Sequence, residues 1–236
     1  MTTQRIHRAV GGAIVIVLTT ATLALANTFP VVSRSLTVIG TCTLTANPST
    51  TTVTADTEAR QGSATSNFGT ATSMNVASGS SLNRRIYIRF DLTKCSPAIP
   101  STVTVKLATL RLFVTALPAV CRTHDIFRVT SSWTESTLTW NNQPFGTSIN
   151  NPASGSRTSS LDVGASPCQN SASTQYVTGW AVAADVQAFV SGTATNNGWM
   201  IRDDVEGSST TRTGTYSTKN LGTLARAPQL VVTYTV

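Results

Sequence analysis

Hydrophobic and polar positions alternate along most of the chain in short runs, and the runs are separated by residues that favour turns. The clearest run is Arg84 to Leu92, where Ile86, Ile88 and Phe90 alternate with Arg85, Tyr87 and Arg89. A two-residue period places the first set on one face of a strand and the second set on the other. Burying the apolar trio therefore predicts an Arg-Tyr-Arg stripe that faces solvent or a partner. Val103 to Ala116 reads as one long strand, with Leu110, Leu112 and Val114 alternating with Thr109, Arg111 and Phe113. Shorter strands are predicted from Val53 and over Met74–Ala77, Ile126–Val129, Leu138–Trp140, Ser159–Val163, Trp199–Arg202, Arg212–Ser217 and Gln229–Val236. Turn signals such as Asn141-Asn142-Gln143-Pro144 and Asn150-Asn151-Pro152 punctuate them. One segment follows a different period. Val182, Val186, Phe189 and Val190 form a helical stripe ahead of Gly192, which predicts a helix over Ala183–Val190. The expected fold is all-β, a two-sheet antiparallel β-sandwich of jelly-roll-like form with one short helix.

The N-terminal pattern differs from the rest. Arg5 and Arg8 precede an apolar stretch from Ala9 to Ala26, which ends in the small-x-small sequence Ala24-Leu25-Ala26. Residues 1–26 read as a cleaved export signal, with an uncleaved membrane anchor as the competing reading. Residues 27–50 show little periodicity and read as a linker, leaving 51–236 as the module. Export brings the four cysteines into play, because an even count in an exported chain suggests disulfides. Cys42, Cys95, Cys121 and Cys168 allow three pairings. The turn-like settings of Cys121 and Cys168 favour that bridge and leave Cys42 with Cys95. The alternative is a Cys42 that stays free or pairs between chains.

Charge alters the picture only modestly. Charged residues make up 11% of the chain and the net charge is +7, which falls to about +5 without Arg5 and Arg8. A mildly basic body suits acidic polymers. No Lys/Arg-rich run or DNA-binding motif spacing is present, so no nucleic-acid partner is expected. Outside the export segment the one histidine is His124, read as a surface residue beside Asp125. No nucleophile elbow or zinc-protease motif occurs. Glu135, between Trp133 and Trp140, is the most suggestive carboxylate for glycoside chemistry, but a hydrogen-bonded Ser/Thr/Glu turn is the stronger reading of it. Trp133, Trp140, Trp180 and Trp199 are expected to pack in a core. Asp56 with Asp203, Asp204 and Glu206 offers hard oxygen ligands that suit a structural calcium ion, though without EF-hand spacing. No cofactor is required by this reading.

Binding chemistry is easier to assemble. Tyrosine presents an apolar face to a sugar ring, and arginine pairs with uronate carboxylates. Arg85, Tyr87 and Arg89 share one expected face, and Arg202, Arg212 and Tyr216 extend it if their strands lie alongside. Ordinary ion pairs with Asp91, Asp203, Asp204 and Glu206 are the alternative use of those arginines.

Several segments carry a resemblance in a fixed order. They are Asn83-Arg84-Arg85-Ile86-Tyr87-Ile88-Arg89-Phe90-Asp91-Leu92, Trp133-Thr134-Glu135-Ser136 with Trp140-Asn141-Asn142-Gln143-Pro144, Asn197-Gly198-Trp199-Met200-Ile201-Arg202-Asp203, and Pro228-Gln229-Leu230-Val231-Val232. Together, over about Thr51 to Val236, they resemble the bacterial DNRLRE-domain family, which overlaps carbohydrate-binding module family 96. The resemblance implies an extracellular β-sandwich that binds acidic polysaccharide such as alginate, often appended to an enzyme. No catalytic domain accompanies it in this sequence, so it does not imply targeting of an enzyme on the same chain. The expected role is a secreted, non-catalytic polysaccharide-binding module for acidic glycans, with no membrane association after signal cleavage. A structural or adhesive surface protein, or a polysaccharide-degrading enzyme, are the alternatives.

Overall fold

A computed structural model describes residues 38–46 and 54–236. The expected export signal and most of the expected linker lie outside the described residues. Thirteen strands and one helix form among them. In chain order these are β1 (Ile39–Thr45), β2 (Thr54–Arg60), β3 (Ser73–Ser78), β4 (Arg84–Phe90), β5 (Thr104–Arg111), β6 (Phe113–Ala116), β7 (Arg122–Arg128), β8 (Ser159–Val163), β9 (Gln175–Tyr176) and β10 (Trp180–Ala181), followed by α1 (Ala183–Val190), β11 (Trp199–Asp203), β12 (Arg212–Ser217) and β13 (Gln229–Thr235).

The strands build two antiparallel sheets. The smaller runs β1-β13-β5-β10, and the larger runs β8-β7-β11-β4-β3-β12-β6-β9, with β2 paired along β4. The predicted alternation sets the packing. Ile86, Ile88 and Phe90 are fully buried between the sheets, with Leu110, Val114, Ile126, Trp199 and Val232. Each such side chain stabilises the fold by roughly 1.5–3 kcal/mol relative to exposure. The helix covers part of the smaller sheet. Its Gln187 accepts a hydrogen bond from the Val105 amide (2.7 Å) and donates one to the Val103 carbonyl (3.2 Å). Gly192 follows the helix with φ of +74°, a conformation that a Cβ would strain.

The short strands β9 and β10 were not expected, and three expected segments differ. The segment read as a linker contributes β1, where Cys42 and Leu44 turn inward and Thr41 and Thr43 outward. Only two apolar residues point inward there, too few to stand out among threonines. Val103–Ala116 is two strands, because the chain leaves the smaller sheet after Arg111 and joins the larger one at Phe113. Leu138–Trp140 forms no strand and belongs to a long connection between β7 and β8. The disulfides are Cys42–Cys95 and Cys121–Cys168. The first ties β1 to the turn after β4, and the second ties the start of β7 to the loop after β8.

Candidate functional site

The outer face of the larger sheet does not meet solvent where the Arg-Tyr-Arg stripe was expected. The connection between β7 and β8 folds over it and brings Trp133, Leu138 and Trp140 down onto Tyr87, Phe127, Val129 and Met200, making a second core. Arg85 and Tyr87 are 0% exposed. Arg85 pairs with Glu206 at 2.7 Å and donates to the Ser148 and Gly146 carbonyls at 2.7 and 3.0 Å. Tyr87 donates to Gln143 Oε1 at 3.0 Å. Arg202 is also fully buried, held by the carbonyls of Asp204 and Pro152. Tyr216 points the other way, into the core between the sheets, where its hydroxyl meets His124 Nδ1 at 2.8 Å. Arg85, Tyr87, Arg202 and Tyr216 therefore offer no surface to a ligand. Arg89 and Arg212 stay partly exposed, on β4 and β12 with β3 between them. Periodicity assigned the faces correctly for Arg85, Tyr87 and Arg89, but it carries no information about a loop that covers a face.

The same connection creates a surface that the periodicity did not foreshadow. A cleft of about 340 Å³ opens where its last residues pass the end of β7 and the start of α1. Phe145 and Pro152 give it apolar walls, with Arg128, Arg157, Thr158 and Asp185 around them. The two guanidinium side chains are 40% and 43% exposed. Their carboxylate neighbours lie beneath them. Asp185 Oδ1 is 3.6 Å from Arg128, and Asp125 Oδ1 is 3.5 Å from Arg157, while the two acids are 9% and 1% exposed. Those contacts are too long for good hydrogen bonds; Arg157 Nη1 donates to the Ser154 carbonyl at 2.9 Å, and the other guanidinium donors of the two side chains have no hydrogen-bond acceptor among the described residues. Asp185 Oδ2 is fixed by Thr158 Oγ1 (2.7 Å) and Trp199 Nε1 (2.9 Å). The cleft therefore presents cations and hydroxyls outward, over apolar walls and submerged acids. Arg128 ends β7 and Arg157 sits in a Ser/Gly loop, and only the fold brings them together. The one available signal is the length of the segment between β7 and β8, because connections longer than roughly 15 residues are uncommon and often functional.

Residues 47–234 match the family described as carbohydrate-binding module family 96. The chain belongs to that family. No curated protein matches it. The expected resemblance thus holds for the carbohydrate-binding module, and the module's β-sandwich carries the cleft at its edge.

Within the module the expected calcium ligands do not converge. Asp203 and Asp204 both pair with Arg122, Glu206 pairs with Arg85, and Asp56 accepts from the Lys219 amide at 2.8 Å. Among the described residues no group of three or more His, Cys, Asp or Glu side chains is placed to hold a metal ion. Glu135 forms an ion pair with Lys219 and receives the Asp56 amide at 3.3 Å, so it anchors the covering connection onto β2. Beside it, burial raises the Asp56 carboxyl to about 7. A carboxyl raised this far suits acid–base chemistry, but Asp56 is 1% exposed and buried away from any substrate. His124 is not a surface residue. It is buried between the sheets, and desolvation lowers its pKa to about 4. All four tryptophans are buried, as expected of core anchors.

Proposed function

We propose that this family 96 module is a secreted, non-catalytic binder of acidic polysaccharide and that the Arg128/Arg157 cleft holds the glycan. The observation that carries the reading is the vertical order of charges, with two half-exposed guanidiniums above two buried carboxylates. A uronate carboxylate entering the cleft meets unfilled donors in a geometry suited to paired N–H···O contacts. Phe145 and Pro152 offer apolar contact to the C–H face of the sugar ring, and Asp185 Oδ1 can accept from a ring hydroxyl. A recess in which placed polar groups converge beside apolar walls is the usual form of a small-ligand site. Two disulfides agree with an oxidising compartment.

Affinity electrophoresis in gels containing a polyuronate, a sulfated glycan or a neutral glucan tests the proposal. The protein is expected to be retarded by the polyuronate, less so as salt rises, and not by the glucan. Arg128→Gln/Arg157→Gln is expected to lose at least about tenfold in affinity, roughly 1.4 kcal/mol, with an unchanged circular dichroism spectrum. Full retention of that folded variant, or retention by the sulfated glycan alone, overturns the assignment.

A further inference from the structure

A second cationic surface lies where the chain crosses from β5 to β6, away from the cleft in sequence and on different strands. Arg111 stacks over Tyr176 with its guanidinium carbon 4.9 Å from the ring centre, and Arg226 stacks over Phe113 at 5.4 Å. The two rings meet edge-on at 5.4 Å, so the four side chains form one continuous row. Tyr176 is fixed by its hydroxyl, which donates to the Ala227 carbonyl at 2.7 Å. Among the described residues neither Arg111 nor Arg226 has an acidic or hydrogen-bonding partner, in contrast to Arg60, Arg85, Arg122, Arg128 and Arg157, each of which has a carboxylate within 4 Å. A guanidinium held over a ring face can keep N–H donors free while the ring limits its rotamers, so little order is lost when an anion binds. In register, Gln229 lies opposite Arg111 and Thr45 lies opposite Gln229, both half-buried. The polar row thus continues across three strands, a span of about 10 Å at the usual strand spacing. That is an extended track with cations at one end, not a closed pocket.

We propose that this Arg111/Arg226 track is a second site for uronate-rich polysaccharide, so that one module engages two chains, or two stretches of one chain. The inference rests on the acidic-glycan reading above. Two sites on one body raise avidity for a long polymer without any new contact within either site, and they let the module cross-link a gel.

Titration calorimetry with a short oligouronate, combined with turbidity of a long polyuronate, tests the inference. The unaltered protein is expected to bind two equivalents and to cloud the polymer. Arg111→Gln/Arg226→Gln and Arg128→Gln/Arg157→Gln are each expected to bind one equivalent and to leave the polymer clear. Should the Arg111 change disturb the fold by circular dichroism, Arg226→Gln alone, at an exposed turn, is expected to weaken the second equivalent at least threefold. A single equivalent that only the Arg128/Arg157 variant abolishes overturns the second site and spares the first. A single equivalent that only the Arg111/Arg226 variant abolishes overturns two-site binding and the cleft together. Absence of any binding overturns the acidic-glycan reading itself.

Discussion

Arg85 and Glu206 meet at 2.7 Å with both side chains wholly excluded from solvent, although Arg85 sits on the strand face opposite the main core. The pair links β4 to the segment after β11, and the remaining Arg85 donors hold the carbonyls of Gly146 and Ser148. Its guanidinium also lies 4.6 Å from the Trp140 ring. Arg85 is therefore the post on which the covering connection is tied.

Breaking a buried pair leaves one charge without compensation, which costs about 3–5 kcal/mol. Glu206→Gln and Arg85→Ala are each expected to lower stability by about that amount in urea denaturation. A loss under about 1 kcal/mol in both variants would show that water reaches the site and that the connection is held by its tryptophans alone.

Two buried titratable groups act against each other. His124 stays neutral in the fold, with its pKa lowered from 6.5 to about 4 by desolvation. The unfolded chain binds that proton first, so the stability due to neutral His124 is complete above pH 6.5 and is lost as pH falls toward 4. Asp56 is raised from 3.8 to about 7 by burial. There the folded state binds the proton first, so its contribution is complete below pH 3.8 and is lost as pH rises toward 7. Each slope is about 1.4 kcal/mol per pH unit where only one state is protonated. The contributions oppose over about pH 4–6.5, leaving little net slope from this pair. Asp56→Asn is expected to make stability rise with pH across that window relative to the unaltered protein, and His124→Gln to make it fall. Urea midpoints at three pH values read both slopes, and curves parallel to the unaltered protein would contradict the assignment.

Much of the architecture was legible in the chain, for a specific reason. Ile86, Ile88 and Phe90 point one way because a pleated strand has no other option, and the spacing of Val182, Val186, Phe189 and Val190 fits only a helix. The site was less legible. Alternation states that Arg85 and Tyr87 share a face, but exposure depends on whether another segment covers that face. The cover was present in the sequence as Trp133, Leu138, Trp140 and Phe145, large apolar side chains in a stretch with no usable strand pattern. Read as a strand over Leu138–Trp140, they lost their meaning as a lid. His124 was misplaced by a related omission, since its neighbour Ile126 shares its parity and faces the core.

The Cys42–Cys95 bridge closes a loop with a sequence separation of 53, and β1 contacts the described fold by pairing with β13. In the chain-entropy view a loop of that size is worth about 4 kcal/mol. Cys42→Ala/Cys95→Ala is expected to lose roughly that much stability and to speed amide exchange over Ile39–Thr45 more than in β4. Unchanged exchange in β1 would show that its pairing with β13 suffices without the covalent tie.

The cleft assignment is tested most directly by amide chemical-shift mapping of the labelled protein titrated with a short oligouronate. Saturable shifts are expected at Arg128, Thr130, Ser156, Arg157 and Thr158, with Arg85, Tyr87 and Tyr216 unmoved. Shifts centred on those three buried residues, or no saturable shift around Arg128 and Arg157, would contradict it.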